Sequence, residues 1–515
     1  MKNRKRPSIW EPGVLLLGIA LSIISAAICM QIMGQFGIAP NTSLIGAVLI
    51  MIVARIPVHV AKLFRNLERQ NYVLSIASSA GFSAANCGFV AIATVFIMGK
   101  SELLMPVAFG ALIGSMISIY TMGRLFDSAI FPAKGAWPTG VAAAKVLEAG
   151  DAGGKKSFHL AQGLIVGVVA SIIGIPAAGV GIAFIANMVS MGALATGMIL
   201  RGHSAFIFRG FDIGQSNIAQ GIMIGAGIVA LVQIFLAITS AASGKSEHAN
   251  HIVSDSEAKS SMLGSAGLFV IGAIVFALVT GVFSEMGLVQ SVMWVAFSGF
   301  TAIVVMALVG TAVMHSGWAP AFAVVTICLT IGLLMGFPPV PLAVLTGYIG
   351  SVGLPLADTG NGLKTGWLIR GQDVDKEHEA YGRKQQVIIK QIGAVIGIGM
   401  ALLFGMTLVN SDVVPPMSIF YAQTVAEAAN PALLRELALW AVPGAILQAA
   451  FGNKSVGLML ASGLLINNPI FGIAVLAAIV ARLFFGTKHM EIRGPGLIAG
   501  DGLFGFVVNI FRAFT

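Results

Sequence analysis

Charge is what this chain has least of. Asp, Glu, Lys and Arg make up 10% of its 515 residues, against roughly 25% in a soluble domain. It therefore lacks the groups needed to coat a water-facing surface. Cysteine is scarcer still. Cys29, Cys87 and Cys328 all lie inside apolar runs without CxxC spacing, which gives little support to a metal or redox centre. Nucleotide motifs are missing too. Gly-Lys-Ser occurs at 99–101 and 244–246, but the phosphate loop needs a glycine five residues earlier, where Thr94 and Thr239 stand. That argues against ATP-driven transport by this chain alone. There is no HExxH, no GxSxG and no paired-acid cluster, so an enzyme is not expected. Glu247, His248 and His251 form the one metal-like spacing, and a solvated loop explains it better, since no further ligand is near.

What the chain has is apolar length. Apolar residues are 57% of the total and mean hydropathy is +0.92. Many apolar runs of 18 residues or more, divided by short polar breaks, read as an all-α, polytopic integral membrane bundle. About 14–16 membrane segments are expected, some of them short or re-entrant broken helices. The 63 glycines fit close helix approach. The net charge of +9 sits mostly in short loops beside spans, where it sets orientation rather than binding nucleic acid. Lys2, Arg4, Lys5 and Arg6 precede the first run, from Gly13 to about Met33, which is too long for a signal-peptide core. They place the N-terminus in the cytoplasm of a multi-pass protein of the cell inner membrane.

Residues 1–240 form one half of the transport domain, 241–261 a polar extracytoplasmic loop and 262–515 the other half. Spans near Leu160–Val180 and Ile182–Leu200 return Arg201 and Arg209 to the cytoplasm. Counting four crossings from the 241–261 loop puts the basic stretch Lys364–Lys390 outside, against the charge rule. A short or re-entrant passage at 354–369, broken by Pro355, Gly360, Gly362 and Gly366, would remove the conflict. Further on, 419–437 reads as amphipathic and interfacial.

Trp137-Pro138-Thr139-Gly140-Val141 interrupts this apolar pattern. Pro138 suits the first position of a helix, and Trp137 before it is pushed toward extended geometry. The N–H groups of Thr139, Gly140 and Val141 would then seat an anion at a helix N-terminus, or the stretch is only a turn between spans. Asp127, Lys145, Glu148, Asp358, Lys364 and Asp501 are ionisable groups in or beside apolar segments, with His315 and Glu285 nearer segment ends. Each is expensive in lipid and points to a lined cavity, an ion pair or a proton step. Lys145 and Glu148 are equally readable as an i,i+3 surface pair, and Asp501 as a loop residue. Ser75, Ser78, Ser79, Ser83 and Asn86 line a small-residue helix, either as packing glue or as a polar wall along a solute path.

These residues resemble the oligopeptide transporter superfamily, in particular a bacterial branch related to the yellow-stripe-like metal-chelate carriers. Residues 137–147 are similar to its aromatic-Pro-Ser/Thr-Gly-x-Ala-x-Ala motif and Ser79-Ala80-Gly81 to its Ser-Ala-Gly segment. Asp358 with Leu363-Lys364-Thr365-Gly366 and Arg383-Lys384-Gln385-Gln386 resembles its Asp…Leu-Lys-Thr-Gly…Arg-Lys-Gln-Gln signature. Residues 496–503 resemble its closing Gly-Leu-Ile-x-Gly-Glu-Gly-Leu element. The sequence departs from the family pattern at Ser75, at Thr359-Gly360-Asn361-Gly362 and in the polar insert 371–381, which bears on the substrate. The resemblance implies a symporter of small peptides or peptide-like metal chelates, with a proton or other coupling ion and no other cofactor. A passive channel and, less well supported, an integral membrane enzyme on lipid-linked substrates are the alternatives. Partners are the solute and the bilayer, with a homodimer compatible. Substrate contacts are expected at Pro138, Thr139, Gly140, Lys145, Asp358, Asn361, Lys364, Ser79 and Asn86, and proton coupling at Asp501 or Glu148; no metal ligands are expected.

Overall fold

With no water in a bilayer core, each backbone N–H and C=O must bond within its own segment, and helix is what this glycine- and alanine-rich apolar sequence forms. The computed structural model describes residues 6–37, 64–151, 155–243, 252–316, 321–372, 374–426, 431–451, 454–487 and 490–514, with Gly46, Ile50 and Ala319 besides. Among them there are eighteen helices and no strand. The protein is a polytopic helical membrane bundle. Among the described residues, seven helices are long and apolar enough to cross a membrane.

The chain opens with α1 (Pro12–Phe36), α2 (Leu67–Ile97, with a π-helical stretch at Ser83–Phe89), α3 (Leu104–Leu125) and α4 (Pro138–Asp151). Then come α5 (Lys155–Ile172), α6 (Ala177–Ile185), α7 (Met188–Ile207) and α8 (Ile218–Ser243). After α9 (Asp255–Thr280) follow α10 (Leu288–Ser316), α11 (Ala321–Leu334), α12 (Pro339–Ile369) and α13 (Lys376–Asn410). The last five are α14 (Pro416–Ala426), α15 (Pro431–Phe451), α16 (Val456–Leu465), α17 (Pro469–Phe485) and α18 (Met490–Phe514).

One end of the bundle is tied by ion pairs. Arg6 meets Glu377 at 3.1 Å, Arg69 meets Glu11 at 2.6 Å and His378 faces Glu68 at 3.3 Å. The starts of α1, α2 and α13 therefore share this basic end. Arg383 donates to the Phe126 carbonyl, so the loop after α3 is there too. The far end collects the other termini: Gly34, near the end of α1, seats against Val413, just past α13.

The two parts of the chain repeat each other in inverted orientation. Helices α1 to α8 correspond in order to α10 and α12 to α18, with α9 linking the copies. The second and third helices of one copy cross those of the other. Gly114 of α3 seats on α12 at Tyr348 and Ser351, and Gly397 of α13 seats on α2 at Ala80. Both α2 and α12 have 31 residues. Ser79-x-Gly81-x-x-x-Ala85-Asn86-x-Gly88 in one matches Ser351-x-Gly353-x-x-x-Ala357-Asp358-x-Gly360 in the other. Farther along, Gly496-x-x-x-Gly500-x-Gly502 of α18 matches Gly221-x-x-x-Gly225-x-Gly227 of α8. An added Cβ on Gly167 would lie 2.5 Å from the Leu497 oxygen, and on Gly500 2.2 Å from the Leu164 oxygen. The inverted pair repeats this, with Gly444 on Ile222 at 2.1 Å and Gly225 on Ala441 at 1.8 Å. Backbone-to-backbone seating through glycine thus builds both α5–α18 and α8–α15.

The inversion corrects several expectations. The described end of the 241–261 loop is at the basic end, not opposite it, because Ile252 N–H donates to the Asp127 carboxylate and Val253 N–H to the Asp127 carbonyl. His248 and His251 lie outside the described residues. Arg201 belongs to the far end, beside Gln35 and Asp412. The reason is the break at 173–176, where Gly174 has φ of 78° and Pro176 precedes α6. At 9 residues α6 spans about 14 Å, under half of a bilayer core. Its counterpart α16 has 10 residues. The short elements are these two, and 354–369 is not one. It continues α12 without interruption, and its glycines seat neighbours: Gly360 on Trp137, Gly362 on Lys390, Gly366 on Gln386 and Arg370. The carbonyl that Pro355 leaves without its helical N–H, on Ser351, faces the Ser115 hydroxyl at 3.5 Å. Likewise 419–437 is not an interfacial helix. Its first part is buried in α14, where the Ser418 hydroxyl donates to the Val90 carbonyl, and its last part belongs to α15.

Candidate functional site

Trp137 is fully buried with φ of 38°, left-handed rather than extended. Its N–H donates to the Met314 carbonyl and its indole N–H to Pro132, while the ring packs between Phe126 and Phe131. Burial of the indole overrides the preference set by the following proline. Pro138 then starts α4, and Gly140 presses on α12, where an added Cβ would be 2.5 Å from the Asn361 oxygen. Thr365 donates to the Gly140 carbonyl at 3.0 Å, and Lys364 donates to the Ala133 and Gly135 carbonyls at 2.7 and 3.1 Å while lying over the Trp367 ring. The α4 N-terminus is thus a packed junction with α12 that joins Gly140, Asn361 and Lys364. Pro138 is exposed, as are Lys145 and Glu148, so the last two stand apart from this junction. In the inverted copy, Ser418 of α14 takes the place of Gly140 and donates its hydroxyl to the Val90 carbonyl of α2.

Asp358 does not meet Lys364. It pairs with Lys390 of α13, both essentially without exposure, and the Ser78 hydroxyl donates to the same carboxylate oxygen. Six residues along a helix turn the side chain through about 600°, so Asp358 and Lys364 leave α12 in different directions. Ser79 donates to the Lys390 carbonyl, and the Gln386 amide donates to Ser75 and to Gly362. Arg370 forks onto Glu379 at 2.6 and 3.0 Å and donates to Gln386 at 2.9 Å. The result is a buried polar seam between α2, α12 and α13. Sequence reading missed Lys390, Gln386 and Glu379 as its members. The signal was there: Glu379, Arg383, Gln386 and Lys390 recur at helical spacing, one inward stripe on α13. Asn86 lies away from it, lining a cavity of ≈ 10 Å³ with Tyr421 and Phe322, room for about one water.

The large cavity is elsewhere. It has a volume of ≈ 770 Å³ and lies at the far end, between α1, α13 and α14 on one side and α5 to α8 with α16 to α18 on the other. Its lining carries Gln35, Arg201, Gln220, Asp412, Asn467 and Asp501. Asp501 sits midway along α18, and its carboxylate accepts the Ala178 N–H at 2.7 Å, at the open start of α6. A carboxylate there satisfies an orphan donor and meets the positive end of the helix dipole. Arg201 is held by Asp212 at 2.6 Å. The Gly214 N–H, with Arg201 and the Ser204 hydroxyl, keeps the Asp212 carboxyl below its usual range against slight desolvation.

Residues 12–242 match the family model described as OPT oligopeptide transporter protein. The chain carries an oligopeptide-transporter domain. It is accordingly a multi-pass membrane protein with a transport domain. The matched stretch coincides with α1 to α8, the first of the inverted copies. The second copy completes the transporter with the same helices turned over. No curated protein matches the chain.

Proposed function

We propose that this transporter is a secondary active symporter of small peptides or peptide-like metal chelates, driven by protons, in the cell inner membrane with its N-terminus and basic end in the cytoplasm. The observation that carries the reading is the far-end cavity between two groups of helices, with a carboxylate at the start of a half-length helix. Inverted copies suit alternating access, in which one group of helices rocks against the other around a fixed site. The family domain supports the solute class, and the positive charge at the basic end supports the orientation. Asp501 holds the α6 N-terminus by its charge in this reading, so neutralising that charge, by a proton or by the cation of a solute, releases α6. The junction at Gly140, Asn361 and Lys364 and the seam at Asp358 act as the frame against which the second group of helices moves.

Proteoliposomes loaded with the purified protein test this. Labelled dialanine, or a ferric or cupric peptide chelate, should accumulate above its outside concentration under an acid-outside gradient and stop when the gradient is collapsed. Asp501→Asn keeps an oxygen for the Ala178 N–H and should abolish accumulation while the melting temperature holds. Uptake that only equilibrates, whatever the gradient, would identify a passive channel instead.

A further inference from the structure

The cavity also carries information about the chemistry of its solute. Among the described residues its charged lining is Asp501, Asp412 and Arg201, and Arg201 already shares its guanidinium with Asp212. What is left over is negative. Gln220, more than nine-tenths buried, is one of the residues around the same cavity, and among the described residues its amide oxygen has no hydrogen-bond partner. A buried carbonyl oxygen without a donor costs about 1–3 kcal/mol, so a turn of the side chain that brings it to an N–H or O–H in the cavity is favoured.

The inverted copies make the point independently. Gln220 stands one residue before the Gly221-x-x-x-Gly225-x-Gly227 frame and Ala226 stands inside it. In the other copy the same places hold Pro495 and Asp501. The α8–α15 and α18–α5 seatings are alike in the two copies, so the glycine frame needs neither an amide at the first place nor a carboxylate at the second. Where α18 offers Asp501 to the start of α6, α8 offers only the Ala226 methyl to Gly457 at the start of α16. Both polar departures from the repeat line one cavity. We propose that they form an ammonium site: Asp501 supplies the charge and Gln220 a neutral acceptor for a primary ammonium group on the solute, such as a peptide N-terminus. This rests on the cavity being the solute site, and it stands whether or not transport is proton-driven.

The test uses the full-length protein in nanodiscs, with binding followed by thermal shift and by titration calorimetry. Dialanine and dialaninamide should bind alike, N-acetyl-dialanine at least tenfold more weakly, and propylammonium should compete with dialanine. Gln220→Leu and Asp501→Asn should each weaken dialanine tenfold or more and leave N-acetyl-dialanine unchanged. Gln220→Glu, which keeps an acceptor and adds charge, should bind dialanine at least as tightly as the parent and guards against misfolding of the leucine variant. Equal binding of dialanine and its N-acetyl form, full binding by the Gln220→Leu protein, or no binding of any ammonium compound would overturn the proposal. Accumulation of both peptides in proteoliposomes would remove the ammonium site and leave the symporter. Propylammonium binding that depends on Asp501, without peptide accumulation, would do the reverse.

Discussion

At the scale of single residues, the deepest charges are paired with each other and not with solvent. Lys390 and Asp358 are each about 1% exposed or less. Removing one partner leaves a bare charge where water cannot reach. Lys390→Met should therefore cost about 3–5 kcal/mol, and Lys390→Met with Asp358→Leu should recover most of that, read as melting temperature in detergent. A double variant no more stable than the single one would show that the pair is not the stabilising unit. The cost of such charges in lipid made Asp358 legible in the sequence. Its partner was not, because Lys390 follows Arg383 and Lys384 and reads as the end of a basic loop, whereas α13 continues inward from Lys376. Asp501 was legible only as one of two readings. What separates them is the N–H of Ala178, 323 residues away.

Among the elements, glycine decides more than proline does. Gly500 on Leu164 and Gly225 on Ala441 leave no room for a methyl group. Gly500→Ala should force α5 and α18 apart and destabilise by about 1–3 kcal/mol. Gly264 in α9 has open space around its Cβ position, so Gly264→Ala should be neutral or stabilising by up to about 1 kcal/mol. Thermal melts of the two variants check both signs, and equal losses would contradict the seating. The type of element followed from apolar length alone, but the number did not: about 14–16 membrane segments are expected, and the described residues form eighteen helices, seven of them long and apolar enough to cross. Nor did the places where they break. A Pro-Gly-rich stretch reads as a break at 354–369 and as part of a span at 173–176, and the structure reverses both, because it is the neighbour that fixes whether a glycine bends a helix or seats another. The repeat within α2 and α12 was readable in the sequence, through its Ser, Gly, Ala and Gly positions, and it goes unseen when spans are counted only by hydropathy.

For the molecule as a whole, the inversion fixes which loops share a side. Residue 252 lies with Lys384 at the basic end, and Gln423 lies with the cavity at the far end. The three native cysteines are buried, so single cysteines placed at Ile252, Lys384 and Gln423 can be told from background. In intact cells a membrane-impermeant maleimide should label the Gln423→Cys protein, and the other two only after permeabilisation. Labelling of Ile252→Cys together with Gln423→Cys would mean that the crossing count is wrong.

The linking helix α9 has a consequence of its own. Its apolar window is only 33% buried, with one face, carrying Phe269, Ala273 and Phe276, packed into the core. A unit such as α1 to α8 begins at the basic end and returns there, and joining it directly to a copy would point both copies the same way. One additional crossing turns the copy over. Without that crossing both copies would face the same way; with it one polypeptide holds the two directions. A helix with most of its apolar window exposed is the one that decides which way half of the molecule faces.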